Sequence, residues 1–122
     1  MKVKGVVWVG TATERYEETE RFFRETMGFT PFQQREDLSI LRLDSGEWVE
    51  IFGPSDPHFA EFGDGLVVEF LVDDLDDARS ELEGKGVEFL TENHGWGEYA
   101  WVRFRGPDGK IYGLTSGPYG PA

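Results

Sequence analysis

The chain repeats itself, and the repeat restricts its architecture more than any other property. Residues 4–11 read as a strand and 14–27 as an acidic amphipathic helix ending on Gly28, with a second strand starting at Phe29. The same order returns as a strand at 66–72, an acidic helix at 74–85, Gly86, and a strand from Val87. Each copy then continues into short strand-like segments closed by turns. A repeated supersecondary unit fixes the architecture before any single residue does. The expected fold is α+β, built from two tandem βαβββ modules with helices on one face of a curved sheet. The modules are placed at 1–53 and 66–116, with a linker at 54–65 and a loose tail at 117–122, all in one domain.

Local signals support this reading. Thr11-Ala12-Thr13-Glu14 offers a threonine cap with a glutamate three residues on, the pattern of a capping box. Tyr16, Thr19, Phe23 and Met27 recur at helical spacing, with Glu17, Glu18, Arg21 and Arg24 as the wet face. In the second copy Asp73 or Asp74 caps a helix whose inner stripe is Leu75, Ala78 and Leu82. Residues 29–35, 38–43 and 48–52 read as strands, as do 87–90, 99–105 and 110–115. Asp44-Ser45-Gly46 and Gly106-Pro107-Asp108-Gly109 read as tight turns, and 93–98 as a loop.

Composition removes several function classes. The net charge is −12 over 122 residues, a field that repels phosphate backbones and anionic membranes, so neither nucleic acid nor a membrane is an expected partner. Cysteine is absent, which excludes disulfides, thiolate metal ligands and a cysteine nucleophile. The apolar run after Lys4 is too short for a signal sequence or a membrane span, so the cytoplasm is the expected location. The acidic run Asp73–Asp77 lacks the glycine and distal glutamate of a calcium loop. A negative helix N-terminus explains it through the helix dipole.

Four segments in order resemble one family. Phe22-Phe23-Arg24-Glu25-Thr26-Met27-Gly28-Phe29 is similar to the "FYRDxLGF" segment of the vicinal oxygen chelate superfamily. That superfamily holds glyoxalases, extradiol dioxygenases, and fosfomycin- and bleomycin-resistance proteins. Val49-Glu50-Ile51-Phe52-Gly53-Pro54 resembles the strand closing its first module. Val72-Asp73-Asp74-Leu75-Asp76-Asp77-Ala78, followed by Gly86-Val87, resembles the opening of its second. Phe104-Arg105-Gly106-Pro107-Asp108-Gly109-Lys110-Ile111-Tyr112 resembles its "DPDG" turn and last strand. The resemblance implies a cup-shaped mixed sheet holding a divalent metal on His and Glu side chains, one from the first and one from the last strand of each module. Those positions fall here on Trp8, Glu50, Val67 and Gly113. Of these, Glu50 alone has a donor. A shift of two residues would bring in Glu69, giving two carboxylates and no histidine. No metal ligand set and no cofactor is therefore expected, and a divalent metal is the disfavoured alternative. His58 and His94 fall in the linker and a loop, where solvated side chains are expected.

Strand alternation sorts the remaining candidates. With Glu50 facing the cup, Trp8, Gly10, Trp48, Phe52, Val67, Glu69, Leu71, Trp101, Arg103, Ile111 and Gly113 share that face. The opposite parity is apolar throughout, as a helix-covered face requires. The candidate ligand-binding residues are Trp8, Gly10, Trp48, Phe52, Trp101, Arg103 and Gly113. Ligand pockets join apolar walls to a few placed polar groups, and strand glycines often mark close approach of a ligand or backbone. Glu50 and Glu69 are the candidate catalytic carboxylates. Either Arg103 pairs with one of them, or one acts as a general base or holds a cation.

Three functions stay open at this point. One is a metal-free binder of a bulky hydrophobic or cationic small molecule, for which the bleomycin-resistance resemblance implies a homodimer. Another is a lyase, isomerase or dioxygenase-type enzyme using Glu50 or Glu69 as metal ligand or base. The third is a non-catalytic interaction module whose cup is filled by its own side chains.

Overall fold

Two parallel strand pairs, one from each copy, are what the duplication builds. The computed structural model describes residues 1–62 and 65–121, so positions 63–64 of the expected linker and the last residue of the tail lie outside the described residues. The chain forms two compact units. The N-terminal unit is Trp8–Val67 with Gly120, and the C-terminal unit is Met1–Val7 with Val68–Tyr119.

In the N-terminal unit, β1 (Gly5–Ala12, of which residues 8–12 belong here) leads into α1 (Tyr16–Arg21) and then β2 (Thr30–Arg35), β3 (Leu38–Arg42) and β4 (Trp48–Phe52). β2, β3 and β4 form an antiparallel run, and β4 returns parallel to β1 with Trp8 opposite Trp48 and Gly10 opposite Glu50. Paired residues share a face, so Trp8, Gly10, Trp48, Glu50 and Phe52 lie together with Ile40 and Leu38, as alternation predicts. The opposite face carries Leu41 and Ile51, both fully buried. Each such side chain contributes roughly 1.5–3 kcal/mol through burial.

The first helix departs from expectation in three ways. β1 runs on through Ala12, so Thr11 is a strand residue, and Thr13 Oγ1 instead accepts from the Arg15 N–H at 3.0 Å. No capping box forms. After Arg21 the helix widens to a π-helical turn over Phe22–Thr26. Tyr16, Thr19 and Phe23 stay partly buried as the stripe requires, but Met27, past the wider turn, is about half exposed, as is Phe22, and Glu20 is buried. Glu20 is satisfied by Arg24 at 2.8 Å and by the Gln34 amide at 3.0 Å, and Gln34 also donates to the buried Ser39 hydroxyl. Buried charge persists only with such partners. Gly28 closes the helix at φ 78°, the left-handed conformation that glycine adopts without strain.

In the C-terminal unit, β5 (Leu66–Leu71) enters α2 (Leu75–Gly84), followed by β6 (Glu88–Phe89), β7 (His94–Trp96), β8 (Tyr99–Arg105) and β9 (Ile111–Ser116). β5 and β9 are parallel and β8 is antiparallel to β9, to β6 and to β7. Asp74 caps α2 by accepting from the Asp77 N–H at 2.9 Å. The expected stripe packs as read: Leu75 and Ala78 are buried with Val72, Val102 and Leu114, and Leu82 lies against them. The expected loop at 93–98 contains the short strand β7. The N-terminal residues join this unit because the Lys4 N–H donates to Leu71 O at 2.8 Å and the Met1 ammonium pairs with Glu81.

The tail from Gly117, expected to be loose, is attached at several points. Tyr119 OH lies 2.8 Å from Thr115 Oγ1 with its ring edge-on to Tyr99. Gly120 O accepts from Arg42 within the N-terminal unit at 3.3 Å.

Candidate functional site

The candidate residues fall into two groups, one in each unit. In the N-terminal unit the Trp8 indole N–H donates to Glu50 Oε1 at 2.8 Å. Trp8 sits on β1 and Glu50 on β4, and the parallel register that sets Gly10 opposite Glu50 brings the indole to the carboxylate. Trp8 is 3% exposed and Phe52 1%. Their rings meet at 6.4 Å and 49°. The ring end of Trp8 folds back over Gly10, where any Cβ would collide with it. Glycine at position 10 therefore makes room for a tryptophan of its own strand. Trp48 is buried beside Phe32, with ring centroids 5.1 Å apart, and the Arg42 guanidinium stands 5.0 Å from the Phe32 ring.

In the C-terminal unit Arg103 and Glu69 form an ion pair at 3.2 Å. Both side chains are buried, at 5% and 1% exposure. Register places Glu69 and Arg103 on the two sides of Gly113. A Cβ on Gly113 would lie 2.6 Å from Glu69 Cγ, so the missing side chain is what lets the carboxylate lie across β9. Trp101 follows on the same face of β8, half-buried and stacked with the His94 imidazole at 5.8 Å.

Residues outside the candidate set join these groups. His94 is a strand residue on Trp101, with Nε2 3.2 Å from Thr91 Oγ1, and so is not a solvated loop histidine. His58 is half-buried, edge-on to Phe52, with Nδ1 3.1 Å from Glu61 Oε2. Phe62, from the linker, stacks on Phe52 at 4.9 Å and on Trp8 at 6.3 Å. Trp96 and Tyr99 stack across the β7–β8 hairpin. The available signal was aromatic content within segments that read as loops.

The four positions at which the resemblance places metal ligands carry an indole, a carboxylate, an isopropyl group and a hydrogen. The one carboxylate is bound to the indole beside it. Glu69, brought in by a shifted alignment, is held by a guanidinium. Among the described residues no group of three or more His, Cys, Asp or Glu stands close enough to hold a metal ion. This donor set does not fit a divalent cation, which needs several convergent ligands.

The sequence pattern of the Glyoxalase/Bleomycin resistance protein/Dioxygenase superfamily matches residues 5–110, and the chain belongs to that superfamily. Among solved structures, a variant of Streptomyces coelicolor methylmalonyl-CoA epimerase in complex with 2-nitronate-propionyl-CoA is similar, with TM-score 0.72, 19% identity and coverage of 99% of both chains. The Mycobacterium tuberculosis methylmalonyl-CoA epimerase has TM-score 0.73 and 20% identity, covering 98% of this chain and 89% of that one. The Mn(II)-bound glyoxalase from Novosphingobium aromaticivorans has TM-score 0.77 and 16% identity, covering 99% of this chain and 41% of that one. At these identities the likeness is one of fold. A search of curated proteins gives no match.

Proposed function

We propose that this chain binds a bulky hydrophobic or cationic small molecule on its aromatic residues, without the divalent metal of the superfamily's enzymes, and that it works as a homodimer in the cytoplasm. The observation that carries the reading is the Trp8–Glu50 hydrogen bond. An indole stands where a ligating histidine would be needed, and it takes up the carboxylate that would have been the remaining ligand. A carboxylate among ring faces suits a cation, which gains from both. The negative field of the whole chain draws cations toward it. Among the described residues no helix is long and apolar enough to cross a membrane.

The test is metal analysis of protein purified without chelator, followed by titration with cationic aromatic compounds read by tryptophan fluorescence. Substoichiometric metal with saturable quenching is expected. Stoichiometric zinc, iron, manganese or nickel, lost in Glu50→Ala, would overturn the proposal.

A second reading, an enzyme of the same superfamily, draws on the epimerase structures, one of which holds an acyl-CoA analogue. Glu50 is then the better candidate for a base, since Glu69 is held by Arg103 in a buried pair. Solvent deuterium entering methylmalonyl-CoA, and absent with Glu50→Gln, would favour that reading.

A further inference from the structure

Arg42 puts a positive charge on the same face of the N-terminal unit as Glu50. On β3 it stands directly opposite Trp48, which stands opposite Trp8 on β1, and Glu50 follows two positions along β4. Diagonal neighbours on paired strands lie roughly 7–8 Å apart, within reach of long side chains. The two charges do not meet. Glu50 accepts from Trp8, and Arg42 turns the other way, toward Phe32 and the tail.

Arg42 differs from the other arginines that are drawn out of solvent. Arg24, Arg79 and Arg103 are paired with Glu20, Glu83 and Glu69. Arg42 is half-buried as well, yet among the described residues no carboxylate stands within ion-pair distance of it. Acids outnumber lysine and arginine by 24 to 12 in this chain, and Asp44 and Glu47 lie on the hairpin that follows β3. Glu47 accepts from the Ser45 hydroxyl instead. The Arg42 guanidinium is positioned by neutral groups. It stands 5.0 Å from the Phe32 ring, and Nη2 donates to Gly120 O at 3.3 Å. Phe32 is 39% exposed, so solvent reaches this corner of the face.

Drawing a guanidinium out of water costs free energy that an anion offsets. One N–H on Gly120 leaves the rest of the fork for an oxyanion from outside, and the planar fork matches a carboxylate with two parallel bonds. The net charge of −12 repels a dianionic phosphate more than a single carboxylate.

We infer that Arg42 is the anion-binding residue of this site, and that the ligand is an aromatic zwitterion with its cation at Glu50 and a carboxylate on Arg42. The inference rests on the binding function proposed above and adds the ligand's second charge and the residue that reads it.

Calorimetry with 4-amidinobenzoate and benzamidinium, which differ by the carboxylate, tests it. 4-Amidinobenzoate is expected to bind the unmodified chain about tenfold more tightly, the contribution of a charge-assisted contact. In Arg42→Met, which keeps an apolar stem against Phe32 and loses the fork, the two probes are expected to bind alike. An Arg42 that only ties down the tail would leave the preference between the probes untouched. Equal binding of both probes to the unmodified chain, or a preference that persists in Arg42→Met, would overturn the inference. Because Arg42→Met could fail to fold, phenylglyoxal modification of the unmodified chain, mapped by peptide mass, supplies a second readout. 4-Amidinobenzoate is expected to protect Arg42, and benzamidinium is not. Protection by both alike, or by neither, would contradict a carboxylate on Arg42. If benzamidinium binds through Glu50 and the added carboxylate changes nothing, the anion site is wrong and the binding function stands. If neither probe binds, both fail.

Discussion

Arg103 holds Glu69 at 3.2 Å in a pair that is almost wholly removed from solvent. Deleting one member of such a pair strands the other charge, whereas replacing both with apolar groups of similar volume does not. Arg103→Ala is therefore expected to cost about 3–5 kcal/mol of unfolding free energy, measured by urea titration. The double variant Arg103→Met with Glu69→Leu is expected to lose much less. A near-zero cost for Arg103→Ala would show the pair to be open to water.

Gly113 belongs to the same arrangement. A methyl there would press on Glu69 Cγ from 2.6 Å, and the ion pair leaves the carboxylate little freedom to move away. Gly113→Ala is expected to destabilise by about 1–3 kcal/mol. The penalty is expected to shrink in a Glu69→Ala background, where the obstructing atoms are gone, giving a coupling that a double-mutant cycle reads directly. Additive costs would contradict the close approach.

The contrast between Gly113 and Phe62 shows what the sequence could convey. Within each unit alternation groups the residues as the register does, Glu50 with Trp8 and Trp48 in one and Glu69 with Arg103 in the other, because a strand's period of two leaves a residue only one of two faces. The α2 stripe was equally legible, since Asp74 and Leu75, Ala78 and Leu82 speak for one helix in one frame. As strand glycines, Gly10 and Gly113 signal room for a ligand. The structure gives that room to Trp8 and Glu69. Sequence shows that volume is missing at a strand position, but not which neighbour takes it. The α1 stripe holds at Tyr16, Thr19 and Phe23 and fails at Met27, which follows a π-helical turn that breaks the 3.6-residue period on which such stripes rest. Phe62 and His94 lie outside any long periodic segment, so no pattern assigned them a face.

Acid weakens the linker's anchor in a predictable direction. The Ser55 hydroxyl and N–H both donate to Asp37, which holds its carboxyl below the usual aspartate value. A depressed folded value means that the contribution is present at neutral pH, where folded and unfolded carboxyls are both ionised. It is lost as pH falls through the folded value. Asp37 also has φ 57°, a conformation asparagine tolerates well, so Asp37→Asn removes charge with little change in backbone strain. The stability gap between the unmodified chain and Asp37→Asn is expected to be largest near about pH 7 and to close toward about pH 2 in thermal melts. A gap that widens in acid would contradict the assignment.

The Trp8–Glu50 bond is tested most directly by ligand titration in the presence and absence of chelator. Benzamidinium binding, followed by calorimetry on the unmodified chain, is expected to be saturable and unchanged by EDTA. It is expected to weaken by about tenfold or more in Glu50→Gln, which removes the charge and keeps the shape, since a hydrogen bond to a charged group is worth about 1.5–3 kcal/mol. Binding that disappears with EDTA and returns with added Mn(II) would contradict the metal-independent site.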